Sequence, residues 1–435
     1  PPMSQRLALP PAAEYRLPAL AEEVHASQAK TLIEIPDKDA EPLAFAVPVV
    51  TDISVATHGT WTATHGGRLW RLTFRSDGAT DLNFGFRRLH LPPGATLHLL
   101  SDADVMPGYY DGAYTHRDNR QHGEFWSAPI PGPVATLELF VPDGAEDKLA
   151  LNLTQVGVGF RDVFKLYGGP GLQKQGACNN DVVCPEGEPW RDPIRAVAAY
   201  TVRGIDTCTG TLIMDAEGTF APFFLTAFHC GVTAGNAASV VTIWNYESPS
   251  CGQLGGGSRL QTVSGAEFRA SRRDTDVALL ELSAAPPPSF NPYWAGWDRS
   301  EDIPQGSVAI HHPGVDEKAI SFNTDPLSYG NNCIANGDNT HWIVDNWEDG
   351  TTERGSSGSA LFHPDNQGVI GFLSGGTASC SSITFDCYGR FGASWLGGSG
   401  DNQRLQPWLD PNNRGPLRVA GADPTRDLFR DGFEN

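Results

Sequence analysis

Long apolar runs are missing from this chain. The longest nearly uninterrupted one, Leu43–Val50 (LAFAVPVV), is far too short to cross a bilayer, so no membrane partner is expected. Positive charge is also scarce: 31 Lys and Arg stand against 51 Asp and Glu, a net charge of −20. An acidic surface repels phosphate backbones, which argues against nucleic acid as a partner. Cysteine is absent from the first 174 residues, whereas the rest of the 435 hold all eight. Their spacing lacks the close-set pairs of a zinc site, so disulfides in an oxidising, extracellular compartment fit better. The opening PPMSQRLALP has no charged-then-apolar leader, so an exported protein would have lost its signal peptide from this numbering. No repeat period recurs, which sets aside solenoids and propellers.

What is present suits a turn-rich β protein of more than one domain. Hydrophobic residues make up 40%, enough for packed cores, and Gly 48 with Pro 33 supply the turns. The cysteine boundary and the stretch Gly168–Gly176 (GGPGLQKQG) predict a linker there. Net charge is −5 before Gln175 and −15 from it onward. In the first part Arg16–Ala29 is expected to form a helix. Short alternating runs follow at Leu69–Phe74, Thr96–Leu100, Ala135–Val141 and Ala150–Gly157, separated by turns such as Ser76-Asp77-Gly78 and Pro142-Asp143-Gly144, which predicts a β-sandwich. The second part repeats the style at Ala196–Val202, Val240–Tyr246, Val277–Leu282 and Gly368–Ser374, with no helical periodicity before Arg404–Leu409. The fold class expected is all-β.

Three motifs carry chemistry, in order: Leu225-Thr226-Ala227-Phe228-His229-Cys230, then Asp276-Val277-Ala278-Leu279-Leu280-Glu281-Leu282, then Gly355-Ser356-Ser357-Gly358-Ser359. Taken singly, each has a bland meaning: a core histidine, a strand-start cap, a loop. Together they resemble the chymotrypsin-like serine peptidases, in motif and in the order His, Asp, Ser. That resemblance implies a double β-barrel catalytic domain and a Ser-His-Asp triad. Ser357, picked from its neighbours by the G-x-S-G register, would be the nucleophile, and His229 the base that takes its proton and later protonates the leaving amine. Asp276 would hold the tautomer of His229, and the N–H groups of Gly355 and Ser357 would form the oxyanion hole.

Between residues 178 and 410 the chain resembles, more narrowly, the bacterial lysyl endopeptidases. The shared strings include Asp181–Gly187 (DVVCPEG), Asn245–Cys251 (NYESPSC), Trp294–Arg299 (WAGWDR), Ala309–Pro313 (AIHHP) and Tyr388-Gly389-Arg390. His311-His312 lacks an H-E-x-x-H context or a third ligand, so a structural role is expected, with no metal and no cofactor. The resemblance implies disulfides Cys178–Cys380, Cys184–Cys251 and Cys208–Cys230. Cys333 and Cys387 have no counterparts there, Cys333 falling where that group tends to carry a Trp; a fourth bond between them is expected, with free thiols the alternative. Asp386 stands where the group carries its specificity aspartate, its bland meaning being a loop carboxylate capping a turn. Ser374 stands where the group has a His. In the wider superfamily a Ser at this place supports the catalytic Asp, and here it opens the substrate-pairing segment Ser374, Gly375 and Gly376.

In the digestive branch an Asp just before the nucleophile receives a freed N-terminus. Here that residue is Ser356, so activation by burying a freed N-terminus is not expected, and Cys178 would tie the mature terminus down instead. Residues 1–174 are expected to be a pro-segment, acting as folding aid and inhibitor and removed by cleavage after Lys174; a permanent accessory domain is the competing view. Residues 175–410 would be the peptidase domain and 411–435 a tail. The activity expected is that of a secreted, monomeric bacterial serine endopeptidase acting on protein and peptide substrates after lysine. The alternatives are a trypsin-like enzyme that takes Arg as readily, and an inactive pseudopeptidase that only binds.

Overall fold

The computed structural model describes residues 1–20, 42–163, 175–330 and 339–427. In the N-terminal part, apolar side chains alternate along the strands and close one core between two sheets. The first sheet joins Gly67–Arg75, Val134–Pro142 and Thr96–Ser101 as antiparallel neighbours. The second joins Asp81–His90, Ala150–Gly159 and Ala46–Ser54. Leu72, Leu97, Leu99, Leu137 and Leu139 from one meet Leu82, Phe86, Leu153 and Val156 from the other in one buried cluster. Phe74 meets Phe84 edge-on at 5.1 Å across the gap. Both expected turns form, with Gly78 and Gly144 at positive φ.

The helix expected at Arg16–Ala29 does not begin where predicted. Ala13–Arg16 is a strand that pairs in parallel with Leu72–Arg75. Pro18 disfavours helical backbone at Leu17, so the segment leaves the strand without turning into a helix. Residues 21–29 lie outside the described residues.

The second part is built from two curled antiparallel sheets. In the first, Asp206–Ile213 lies between Val197–Val202 and Phe223–Ala227, and Val277–Leu282 follows. In the second, Ser307–His311, Ala360–Phe362, Val369–Gly376, Asp386–Arg390 and His341–Val344 run side by side. Leu225, Val277 and Leu279 of the first sheet share a core with Ile310, Phe362 and Phe372 of the second. This is the chymotrypsin-like pair of barrels, preceded by a sandwich, and the candidate site lies along their junction.

The two parts also touch directly among the described residues. Leu43 and Ala44 pair antiparallel with Thr207 and Asp206, adding a strand from the N-terminal part to the first catalytic sheet. The Phe45 N–H donates to Ile205 O at 2.8 Å, and Asn83 Nδ2 donates to Gly204 O at 2.8 Å. Phe45, Ala46 and Val163 pack against Ile205 and Val315. The tail is integrated as far as it is described: Arg418–Val419 pairs with Trp297–Asp298, and Asp423 forms an ion pair with Arg195 at 2.8 Å.

Candidate active site

The strand Phe223–Ala227 ends in one tight turn, Phe228–Cys230, that stops at Gly231 in the left-handed region. Pairing of Ala227 with Val277 sets Asp276 opposite that turn. Asp276 itself has φ of 55°, a conformation that Asp tolerates better than most residues and that aims its side chain back at the turn. One oxygen, Oδ1, accepts the His229 backbone N–H at 2.9 Å, and the other, Oδ2, lies 2.8 Å from His229 Nδ1. A carboxylate accepts only, so Nδ1 carries the proton and Nε2 is left with its lone pair. Nε2 is buried and has no hydrogen-bond partner among the described residues.

The loop of Ser357 packs on the end of the same strand. Thr209 N–H donates to Ser357 O at 2.9 Å, and Thr209 Oγ1 donates to Gly355 O at 2.9 Å. Gly358 sits so close that a Cβ would lie 2.2 Å from Thr226 Oγ1 and 2.9 Å from the Ala227 nitrogen. Gly355 has φ of 95°, and a Cβ there would press on His312 O and Val315 N at 3.0 Å. The N–H groups of Gly355 and Ser357 donate to no acceptor among the described residues, as an oxyanion hole requires. The hydrogen bond expected between Ser357 and His229 Nε2 is not formed; such contacts are commonly long before substrate binds.

Asp386 is fully buried at the start of the strand Asp386–Arg390. Its Oδ2 accepts from the Trp347 indole at 2.8 Å and from the Thr352 hydroxyl at 2.5 Å. Gly376 pairs with it across the sheet, at φ of 133°, and a Cβ there would lie 2.3 Å from Asp386 Oδ1. Only glycine leaves that oxygen room. The strand carrying Gly375 and Gly376 also carries Leu373, whose carbonyl accepts the Gly358 N–H at 2.9 Å, so it links Asp386 to the Ser357 loop.

Ser374 is the expectation that fails. A bulge lies between Leu373 and Gly375, and the Ser374 hydroxyl is buried with no hydrogen-bond partner among the described residues, so the expected bond to Asp276 is not formed; the Asp276 carboxylate bonds His229. Ser356 is not idle: its Oγ lies 2.8 Å from His311 Nδ1, and His311 Nε2 lies 3.0 Å from Ser321 Oγ. His312 stacks on Tyr246, and burial drives its pKa well below the usual histidine value.

Disulfides join Cys178 to Cys380, Cys184 to Cys251 and Cys208 to Cys230. The last clamps the strand of Thr209 to the turn of His229. Cys387 is disulfide-bonded, whereas Cys333 and Lys174 lie outside the described residues. Trp347, Thr352 and His341 had no sequence signal. His341 pairs with Gly389 in the second sheet, and its pKa is lowered by burial against the opposing pull of Asp276 and Asp274.

Two curled sheets meeting at a His–Asp couple and a Gly-x-Ser-Gly loop define the chymotrypsin-like class of serine endopeptidases. Comparison with known proteins narrows this. Residues 172–389 match the family model "Lysyl endopeptidase, C-terminal domain", and residues 16–157 match the "Lysyl endopeptidase N-terminal domain". The chain belongs to the lysyl endopeptidase family. It is similar to a lysyl endopeptidase of Pseudomonas aeruginosa, 30% identical over 281 residues, which is 60% of this chain and 58% of that relative. Among solved structures it is similar to the Rv3671c protease of M. tuberculosis in its active form (TM-score 0.30, 15% identity, 50% of this chain and 87% of that one). Another is a Glu endopeptidase in complex with MPD (TM-score 0.32, 17% identity, 46% and 86%). These structural likenesses are slight, and the fold rests on its own strand topology.

Proposed function

We propose that this chain is the precursor of a secreted serine endopeptidase that cuts on the carboxyl side of lysine. The observation that carries the reading is Asp386, a buried carboxylate that accepts from the Trp347 indole and the Thr352 hydroxyl, on a strand pair that leads to the Ser357 loop. A substrate ammonium that has left water needs such a partner. In the reaction, Ser357 Oγ attacks the carbonyl carbon while His229 Nε2 takes its proton. The N–H groups of Gly355 and Ser357 hold the oxyanion, and the proton passes to the leaving amine. Water then releases the acyl group by the same route in reverse.

The catalytic part's own lysine content supports the specificity. Residues 175–435 hold one Lys against fifteen Arg, and residues 1–174 five against ten. That single Lys318 is fully buried, its ammonium bonded to Ile194 O at 2.8 Å and Glu247 Oε1 at 3.0 Å, where no protease can reach it. Residues 1–174 act as the pro-segment, with maturation at Lys174, and the peptidase domain follows. In support, Leu43 and Ala44 pair with Asp206 and Thr207, two residues from the Thr209 that bonds Ser357, so the segment covers a strand edge beside the nucleophile. Three disulfides fit an extracellular site of action, and no helix among the described residues is long and apolar enough to cross a membrane.

The test is a fluorophosphonate probe with N-terminal sequencing. Processed wild type should label, and Ser357→Ala should neither label nor mature by itself. Processed protein that takes no label would make the chain a binding module; Ser357→Ala that still matures at Lys174, alone in solution, would end self-processing.

A further inference from the structure

The backbone N–H of Gln175 donates to Asp316 Oδ2 at 2.8 Å, inside the protein, with Gln175 4% and Asp316 0% exposed. Gln175 is the residue that follows Lys174. Against the expectation drawn from Ser356 that a freed N-terminus is not buried, we propose that Asp316 is the seat of the mature N-terminus, receiving the Gln175 ammonium and so positioning the oxyanion loop. The inference rests on the maturation reading above. Hydrolysis adds water across the Lys174–Gln175 amide: the oxygen goes to the Lys174 carbonyl carbon, which leaves as a carboxylate, and the Gln175 nitrogen gains protons to become an ammonium. A neutral N–H donor on a buried carboxylate thereby becomes a charged one.

The path from this seat to the chemistry is short. Asp316 ends the turn Pro313–Val315, whose Gly314 N–H donates to Arg354 O at 2.7 Å and whose backbone lies against Gly355. The next residue, Gly176, donates to Glu353 Oε2 at 2.9 Å, and Glu353 O accepts the Ser356 N–H at 3.1 Å. The first two mature residues thus bear on the segment that leads into Gly355 and Ser357. Ser356, engaged with His311, takes no part in receiving the charge.

Groups of both signs surround the seat. Facing the seat are the Glu317 N–H and the Tyr246 hydroxyl on Asp316 Oδ1, at 3.1 and 3.3 Å, and His312 Nδ1 on Asp316 O at 3.0 Å. Asp181 accepts from the Gln175 side chain at 3.3 Å, and Glu353 stands beside Gly176. Glu317 is buried with its carboxyl bonded by Gly255 and Gly257 N–H, and burial, with Asp316 next to it, raises its pKa. The cations nearby include Lys318, paired with Glu247, Arg259, stacked on the Tyr246 ring at 4.1 Å, and Arg354, whose carbonyl accepts the Gly314 N–H.

The experiment uses the full-length precursor with a foreign site-specific cleavage sequence ahead of Gln175, cut to leave either Gln175 or one extra glycine at the start. The Gln175 form should lose activity at alkaline pH, as an ammonium with a reference pKa of about 8 gives up its proton. The extra-glycine form should be about tenfold slower, the difference between a charged and a neutral donor. Asp316→Asn in the Gln175 form should be slower by as much and should lack the alkaline limb. Should Asp316→Asn fail to fold, the extra-glycine form still decides, since it leaves every side chain in place. Native enzyme beginning at a residue other than Gln175 would overturn the maturation reading. Native enzyme beginning at Gln175, with both engineered forms equal in rate and pH profile, would overturn the role of Asp316 alone.

Discussion

Replacing Asp386 with Asn removes one charge and leaves the side chain's volume nearly unchanged. The free protein should tolerate this. The Trp347 indole and the Thr352 hydroxyl both donate to the same oxygen, and an Asn carbonyl placed there can accept both. What Asn cannot do is balance a buried ammonium. Asp386 is fully buried, so the pair it would make with a substrate lysine, on the function proposed above, is not weakened by solvent. Breaking a buried pair by removing one partner costs about 3–5 kcal/mol, roughly 150- to 4,000-fold in rate at about 1.4 kcal/mol per decade. The assay is kcat/KM on matched peptide substrates ending in Lys, Arg, Glu or an uncharged residue. Cleavage after lysine should fall by that factor in Asp386→Asn, with thermal stability nearly unchanged. Slow cleavage after the uncharged residue should stay level, because the triad and oxyanion groups are untouched. An unchanged lysine preference in the variant would remove Asp386 from the pocket. Equal wild-type rates for Lys and Arg would make the enzyme trypsin-like, since a carboxylate pairs readily with guanidinium as well.

Gly376→Ala should also abolish lysine cleavage, because its Cβ would lie 2.3 Å from Asp386 Oδ1 on backbone of positive φ; retained kcat/KM would show the carboxylate approached from another side. Mass mapping of unreduced protein should find Cys178–Cys380, Cys184–Cys251, Cys208–Cys230 and Cys333–Cys387; alkylation of Cys333 or Cys387 without reduction would exclude the fourth bond. Asp81 gives the precursor a pH-dependent weakness. Burial first, then Asp162, raises its pKa to about 7 against the opposing Thr80 hydrogen bond and Arg259. The folded state therefore binds the proton more tightly than the unfolded chain, and stability is lost as pH rises from about 4 to about 7, by a few kcal/mol at about 1.4 per pKa unit. Urea midpoints should fall between pH 5 and pH 8 in the precursor carrying Ser357→Ala and fall less once Asp81→Asn is added; parallel falls would place the effect elsewhere.

The sequence by itself determined the class, because the parts that identify it are contiguous. His229, Asp276 and Ser357 each sit in a string of five to seven residues whose local backbone (strand end, strand start, glycine turn) serves the chemistry of the side chain it presents. Strands such as Gly67–Arg75 and Val277–Leu282 were legible for the same reason, since alternation is a local property. The failures are non-local. Pro18 turned the chain away from the expected helix after Arg16 had already joined Arg75, a partner no local pattern names. Ser374 had the right residue type at the right place, but it lies at a bulge in the pairing with the strand Asp386–Arg390 and its hydroxyl does not bond Asp276. Only the tertiary structure set Trp347 and Thr352 on Asp386, His341 near Asp276, Leu43 along Thr207 and Gln175 on Asp316. Each of these contacts depends on sheet register and on how two barrels and a sandwich close around their cores. Register is set by the packing of many side chains at once, so no short string carries it.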